Sequence, residues 1–306
     1  MNHMRFRILA IFLLLCVSAS ADIVIDVRTA LAQNNFAAAT YALQSYRAQH
    51  GTDPAYLDAL SWLARGALSA NQPEQAESYA KQVESGAHDL MKTRALDAEP
   101  HLPLALGAAV EVQAQVLSTR GDNAQAVALL RRSLVTYGNT SIRARLQKNL
   151  NMLGLAGRPA PTLSVLEYLG TRPQSLSQLK GSPVLLFFWA HWCVDCKHEA
   201  PIISQLNSEF ASKGLKIEAP TQLYGYAAQG EDAKPKDELA YIGRVWNQYY
   251  PALQDVPVPV SKANFNSYGA STTPTLVVIN REGIVTLYHP GVLQYEDLRA
   301  AIEKAM

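Results

Sequence analysis

The sequence predicts two domains, an all-α domain of helical repeats followed by an α/β domain. Residues 22–155 are rich in Ala, Leu and Gln and carry apolar residues at helical spacing. A run of helix breakers, GLAGRPAPT at 154–162, ends that pattern. Beyond it, short apolar runs alternate with helical segments, as they do in α/β folds. A length of 306 residues also favours two domains, which we place at 22–155 and 156–306.

The first 21 residues resemble a secretory signal peptide. Arg5 and Arg7 precede an apolar run of ten residues, and Ala19-Ser20-Ala21 supplies a cleavage site of small residues. The apolar run is shorter than the roughly 20 residues that span a bilayer. We therefore expect an exported protein, periplasmic or secreted, whereas an uncleaved segment would leave it tethered to a membrane. A lipidation site at Cys16 fits poorly because Leu14 and Leu15 precede the cysteine.

Three similar segments in the first domain predict helical hairpins. Each has a helix, a turn that contains Asn or Gly, and an alanine about five residues after it, in the segments 31–46, 68–83 and 117–134. The small residues Ala39, Ala76 and Ala126 would let paired helices approach closely. This pattern resembles degenerate tetratricopeptide repeats, which stack helical hairpins side by side. A plain helical bundle is the alternative, because the spacing between segments is irregular. One further helix is expected over 139–153, capped by Thr140 or Ser141.

Order in the second domain is expected to be strand, helix, strand, helix, strand, hairpin and helix. The segments are, in that order, 183–190, 194–214, 215–226, 235–250, 256–261, 273–290 and 295–305.

The charge balance argues against nucleic acid as a partner. The chain has 27 basic and 26 acidic residues, and losing Arg5 and Arg7 with the signal peptide leaves 25 basic residues. A net charge near −1 offers little attraction to a polyanion.

The stretch FFWAHWCVDCKHEAP, at 187–201, carries the chemistry of the second domain. Cys193 and Cys196 follow a predicted buried strand and begin a predicted helix. A helix N-terminus stabilises a thiolate, so Cys193 is expected to be the attacking sulfur and Cys196 the resolving one. A structural staple is a weak explanation, because a bridge over so short a loop stabilises little.

The segment from Leu179 to Pro201 resembles the active site of the TlpA/ResA-type thiol-disulfide oxidoreductases, which have a thioredoxin fold. The matching residues are Leu179-Lys180-Gly181, Phe188-Trp189-Ala190, Trp192-Cys193-Val194-Asp195-Cys196, Lys197-His198, Glu199 and Pro201. The resemblance covers about residues 158–306. It implies a redox-active disulfide between Cys193 and Cys196 and no organic cofactor.

The same resemblance implies roles for residues outside the cysteine pair. Thr273-Pro274 matches the cis-proline loop of the fold, where a substrate backbone pairs, and Trp192 is expected to contact substrate as well. Glu199 is implied as the acid that manages the proton of Cys196, although a solvated glutamate is the simpler interpretation from the sequence alone. No buried metal or cofactor is implied.

Two positions depart from the family pattern. Asp195 stands where the family usually has proline, and its charge beside the sulfurs should disfavour a thiolate and lower the reduction potential. Phe187 stands where thioredoxin itself has a buried aspartate, so proton handling should fall to Glu199 or water.

Three other functions are compatible with parts of this pattern. A copper-binding chaperone of the same fold could use the cysteine pair with His191 or His198, although solvent-facing histidines that tune local charge are the simpler interpretation. A peroxidase is disfavoured, because Ala190 occupies the place of its threonine. The third is a docking protein, in which the helical domain binds a partner and the redox domain is inactive.

These observations predict an exported oxidoreductase that exchanges disulfides with protein partners, as a reductant. An upstream dithiol protein would supply its electrons, and the helical repeats would dock a partner or position the redox domain.

Overall fold

The structure is a computed structural model that describes residues 22–306. The predicted signal peptide, residues 1–21, lies outside the described residues. The predicted order of an all-α region followed by an α/β region is confirmed. No helix between residues 22 and 306 combines the length and apolarity that a membrane crossing needs.

Seven α-helices form the first region. Their bounds are α1 Ile23–Ala32, α2 Phe36–His50, α3 Pro54–Ser69, α4 Pro73–Met91, α5 His101–Thr119, α6 Asn123–Tyr137 and α7 Arg143–Gly154. They surround one apolar core, and consecutive helices pack as pairs. This arrangement fits helical repeats.

The three predicted turns have the same backbone. A residue with positive φ stands at the centre of each, namely Asn34, Asn71 and Gly121. The residue after it donates its N–H to a carbonyl five positions earlier, at 2.8–2.9 Å, which ends the helix with a left-handed cap. Ala39, Ala76 and Ala126 are fully buried in the apolar core of this region. The predicted similarity of the three segments is therefore structural as well.

The second region contains six strands and four α-helices. In chain order these are β1 Tyr168–Leu169, β2 Val184–Phe188, α8 Val194–Phe210, β3 Lys216–Glu218, α9 Pro235–Tyr249, β4 Val258–Pro259, α10 Lys262–Tyr268, β5 Thr275–Ile279, β6 Val285–Pro290 and α11 Tyr295–Ala305. The predicted hairpin is β5–β6. The strands predicted at 215–226 and 256–261 are shorter than expected, because only Lys216–Glu218 and Val258–Pro259 pair with neighbouring strands.

The main sheet has the order β3-β2-β5-β6, with β2 parallel to β3 and the other neighbours antiparallel. β2 and β5 are buried on both faces, which explains their continuous apolar sequences. Helices α8, α9 and α11 cover one face, and α10 covers the other together with residues from the linker. The sheet thus holds the end of β2, and the cysteines that follow it, rigidly in the centre.

The two regions are joined by a close contact of α7 with α10. The side-chain amide of Asn151 donates to the carbonyl oxygen of Tyr268 at 2.9 Å. A Cβ on Gly269 would lie 2.2 Å from the backbone nitrogen of Lys148, so only glycine allows this approach. The linker also pairs with β6 through Gly157 and Val285. The domain boundary between residues 155 and 156 stays a prediction, since α7 ends at Gly154 and the linker packs against both regions.

We expect Gly269→Ala to loosen this junction. Gly269 has a φ of +61°, and the new Cβ would also collide with the backbone of α7. Backbone strain at residue 269 and displacement of α7 should together lower the free energy of unfolding by roughly 2–5 kcal/mol. Thermal unfolding should show the loss, and limited proteolysis should show faster cleavage within residues 155–161.

Gly291→Ala is the matched control. Its φ is +105°, but nothing lies within 4 Å of the added Cβ, so only backbone strain should be felt. Equal losses of stability in Gly269→Ala and Gly291→Ala would contradict the role assigned to the contact between α7 and α10.

Candidate active site

Cys193 and Cys196 form a disulfide at the point where β2 gives way to α8. The S–S distance is 2.10 Å and the two Cα atoms are 5.3 Å apart. Cys193 is the N-cap of α8 and is 3% exposed, whereas Cys196 is fully buried. The predicted disulfide and the predicted strand-to-helix placement are both confirmed.

The helix N-terminus acts directly on the sulfur of Cys193. The backbone N–H of Cys196 points at this Sγ with an N···S distance of 3.0 Å. In the reduced protein this N–H and the positive end of the helix would stabilise a thiolate on Cys193. The carbonyl oxygen of Thr273 lies 3.4 Å from the same sulfur.

Trp189 fixes the segment between the strand and the cysteines. Its indole N–H donates to the carbonyl of Ala219 at 3.0 Å, and its own carbonyl accepts the hydroxyl of Thr221 at 2.9 Å. The ring packs against Trp246 and Tyr250. These contacts join the end of β2 to the residues after β3. They fix the segment that leads from β2 into α8.

The Thr273–Pro274 peptide bond is cis, as the resemblance to the thioredoxin fold implied. This loop leads into β5 and is braced by the Thr275 hydroxyl, which donates to the Thr272 carbonyl at 2.7 Å. Because Thr273 faces Cys193, two segments separated by 80 residues meet at the disulfide.

Glu199 lies one turn after Cys196 on α8 and is only 2% exposed. Its carboxylate accepts one long hydrogen bond, 3.4 Å, from the backbone N–H of Leu293. Burial raises the pKa of Glu199 to about 7, and that hydrogen bond offsets only part of the effect. The alternative of a solvated glutamate is therefore wrong, because α11 and the segment before it cover this face of α8.

Comparison with known proteins agrees with this geometry. Residues 156–288 match the model of the AhpC/TSA family. The thiol-disulfide oxidoreductase ResA of Bacillus subtilis is 31% identical over 137 residues, which are 45% of this chain and 68% of ResA. The chain belongs to the ResA-type thiol-disulfide oxidoreductases.

Other relatives of this oxidoreductase carry related names. The thioredoxin-like protein YneN of Bacillus subtilis is 26% identical and covers 48% of this chain and 78% of its own. The thiol:disulfide interchange protein DsbE of Xylella fastidiosa is 30% identical over 46% of this chain, and the match spans 64% of DsbE, less than two thirds.

One feature of the oxidoreductase was missed by sequence reasoning. His191, two residues before Cys193, is buried rather than solvent-facing, so the simpler interpretation of this histidine was wrong. Its ring is surrounded edge-on by three tyrosines, Tyr224, Tyr226 and Tyr241. The tyrosine-rich sequences around 224–226 and 241 are the only signal that could have indicated such an enclosure.

Glu238, on α9, is the charged neighbour of His191. The two side chains are 3.5 Å apart, and burial lowers the pKa of His191 despite this carboxylate. Glu238 accepts the backbone N–H groups of Tyr224 and Gly225 at 2.5 and 2.8 Å, so it anchors the loop that carries Tyr224. His198 is exposed on α8. Among residues 22–306 no cluster of three metal-ligating side chains occurs.

The remaining predicted residues lie as follows. Trp192 is 47% exposed beside the disulfide and touches Tyr224 edge-to-face. Asp195 is exposed in the first turn of α8. Phe187 is fully buried under the site.

The raised pKa of Glu199 predicts a pH dependence of stability. A buried carboxyl with a folded pKa of about 7 keeps its proton while the unfolded chain, near 4.5, has lost it. The free energy of unfolding should therefore fall as pH rises through that window, by roughly 3 kcal/mol. Glu199→Gln should flatten the profile, as measured by urea unfolding at pH 4.5–8.

Glu218 provides a second carboxyl of the same kind on β3. Burial raises its pKa to about 7 as well, and the N–H of Gln174, which donates to its carboxylate at 3.2 Å, offsets only part of the effect. Glu218→Gln should reduce the dependence of the unfolding free energy on pH by a similar amount, and the double variant should lose both contributions. A double variant that keeps the wild-type dependence of unfolding free energy on pH would contradict the assignment.

Proposed function

We propose that this protein is an exported oxidoreductase that reduces disulfides in partner proteins through Cys193 and Cys196. The observation that carries the proposal is the position of the Cys193 sulfur, which receives the Cys196 N–H at the start of α8 and faces Thr273. Its family supports disulfide exchange as the reaction. Export is supported by the signal-like residues 1–21, and reduction by the charge of Asp195.

The exchange would proceed in two balanced steps. The Cys193 thiolate attacks one sulfur of a substrate disulfide, and the other substrate sulfur leaves as a thiolate. The Cys196 thiolate then attacks Cys193, which forms the protein disulfide and releases the second substrate thiol. The two electrons given to the substrate are restored by an upstream dithiol protein, so no organic cofactor takes part.

Glu199 would manage the proton of the second step. Cys196 is fully buried, and a buried thiol resists ionisation because its thiolate lacks solvation. A carboxylate one turn away with a pKa of about 7 can accept that proton near neutral pH. Phe187 provides no alternative acid from the strand below.

Substrate would lie against the cis-proline loop and Trp192. Thr273 and Pro274 form the edge beside the disulfide, and the half-exposed Trp192 offers an apolar surface next to the attacking sulfur. An extended substrate segment can pair with such a loop as an added strand.

Trapping tests the exchange function. In Cys196→Ala the second step is missing, so Cys193 should accumulate mixed disulfides with exported proteins, visible on non-reducing gels and identifiable by mass spectrometry. Cys193→Ser should form none and should lose insulin disulfide reduction, because the attacking sulfur is gone. Insulin reduction that persists in Cys193→Ser would contradict the proposal.

Asp195 tests the direction of electron flow. Its charge lies in the first turn of α8 near both sulfurs, so Asp195→Asn and Asp195→Pro should both raise the reduction potential, by about 20 mV. Equilibration with glutathione buffers measures this change. The matched control is Asp237→Asn, an exposed aspartate in the first turn of α9. An unchanged or lower potential in both Asp195 variants would refute the tuning role.

A further inference from the structure

A groove of about 690 Å³ runs beside the disulfide, and the two regions of the chain form its opposite walls. The redox region contributes Trp192, Tyr224, Phe265 and Thr273. The helical region contributes residues 138–141 of the turn between α6 and α7, Arg143 and Ala144 at the start of α7, and Asp97. A substrate that approaches Cys193 along the cis-proline loop therefore meets the helical region as well.

The wall from the helical region is well ordered by its own hydrogen bonds. Asp97 accepts the Ser141 hydroxyl at 2.5 Å and the Ser141 backbone N–H at 3.0 Å. Arg143 donates to the Gly138 carbonyl at 3.0 Å. These bonds explain why the helix expected over 139–153 begins only at Arg143, so the expected caps at Thr140 and Ser141 were wrong. Residues 138–142 are instead presented as a fixed turn.

The position of this wall is fixed relative to the disulfide. The turn leads directly into α7, which packs on α10 through the close approach of Gly269 to Lys148. Gly269 stands only four residues before Thr273, so one short segment connects the junction of the regions to the substrate loop. The two walls of the groove are therefore held in fixed positions relative to each other.

The lining of the groove offers both apolar surface and hydrogen-bonding groups, as binding of an extended polypeptide requires. Tyr224 and Phe265 pack edge-to-face and give the groove apolar surface, next to the ring of Trp192. Asn139 and Asn266 line it from opposite regions, and within residues 22–306 neither side chain makes a hydrogen bond. Free amide groups of this kind can pair with the backbone of a bound segment.

The charges of the groove favour an acidic segment. Lys262 and Arg143 line it and have no carboxylate partner within 4 Å in the described part of the chain. Asp97 is the acidic residue of the lining, and its oxygens are engaged by Ser141. The lining therefore carries an excess of one positive charge, in a concave site where such a field is strengthened.

We propose that this groove binds the substrate protein as an extended segment whose acidic residues face Lys262 and Arg143, and that the α6–α7 turn thereby helps to select the substrate. The inference rests on the proposed exchange function. It assigns the helical region a share in substrate recognition, in addition to any partner held elsewhere on the repeats.

The test compares two peptides that differ only in charge. Each is a disulfide-linked homodimer of a short peptide with one cysteine, flanked by two Asp residues in one peptide and by two Lys residues in the other. Reduced full-length protein is mixed with each, and release of peptide thiol is followed by chromatography at low salt. Rates are divided by the rate with the small, uncharged 2-hydroxyethyl disulfide.

The wild-type protein should reduce the Asp peptide about tenfold faster than the Lys peptide, in the range of electrostatic rate effects. Lys262→Glu changes the net charge of the lining from +1 to −1 and should bring this ratio below one, and Lys236→Glu, an exposed charge reversal on α9, is its matched control. The side chain of Lys262 is exposed and makes no hydrogen bond within the described residues, so this variant should fold. A wild-type ratio near one, or a ratio that Lys262→Glu leaves unchanged, would overturn the charge preference.

A second variant tests the share of the helical region. Asn139→Trp would project a large ring into the groove from the α6–α7 turn, and should lower the normalised rate of both peptides at least fivefold. Val135→Trp, at an exposed site on α6 outside the groove lining, is the control. Equal rates in the two variants would overturn the role of the turn. Failure of wild-type protein to reduce 2-hydroxyethyl disulfide would instead remove the exchange function, and this inference with it.

Discussion

The arrangement depends on one interaction, the approach of the Cys196 N–H to the sulfur of Cys193 at the start of α8. It requires β2 to end at Phe188 and α8 to begin at Val194, with the intervening residues held by Trp189. The sheet supplies this rigidity, because β2 is central and buried on both faces. Helix dipole, backbone N–H and burial then act on the same sulfur. Everything else around the site, including Glu199 and the Thr273 loop, is placed relative to that atom.

Local patterns predicted most of the fold. The helical period, the breakers at 154–162 and the alternation of apolar runs identified both regions, because each pattern follows from nearest-neighbour geometry. The three turns at Asn34, Asn71 and Gly121 were visible for the same reason. The short length of the strands near 218 and 258 could not be predicted. The ends of these strands are determined by contacts with distant residues rather than by their own sequence.

Some residues of the site could likewise be predicted from local sequence, and others could not. Cys193, Cys196 and Pro274 could be predicted because a motif and a fold position specify them. The burial of His191 could not, because Tyr224, Tyr226 and Tyr241 come from two other segments. The burial of Glu199 likewise depends on the segment before α11, about 94 residues away. The start of α7 was missed because Asp97, from another loop, holds Ser141 outside the helix.

Glu199 and Glu218 lie in the same domain, and burial raises both pKa values to about 7. Near pH 6 the folded protein thus holds up to two protons that the unfolded chain would give to the solvent. Unfolding at that pH should be accompanied by proton release. The calorimetric heat of unfolding should consequently vary with the ionisation enthalpy of the buffer, and two buffers of equal pH should give different apparent enthalpies for the same transition.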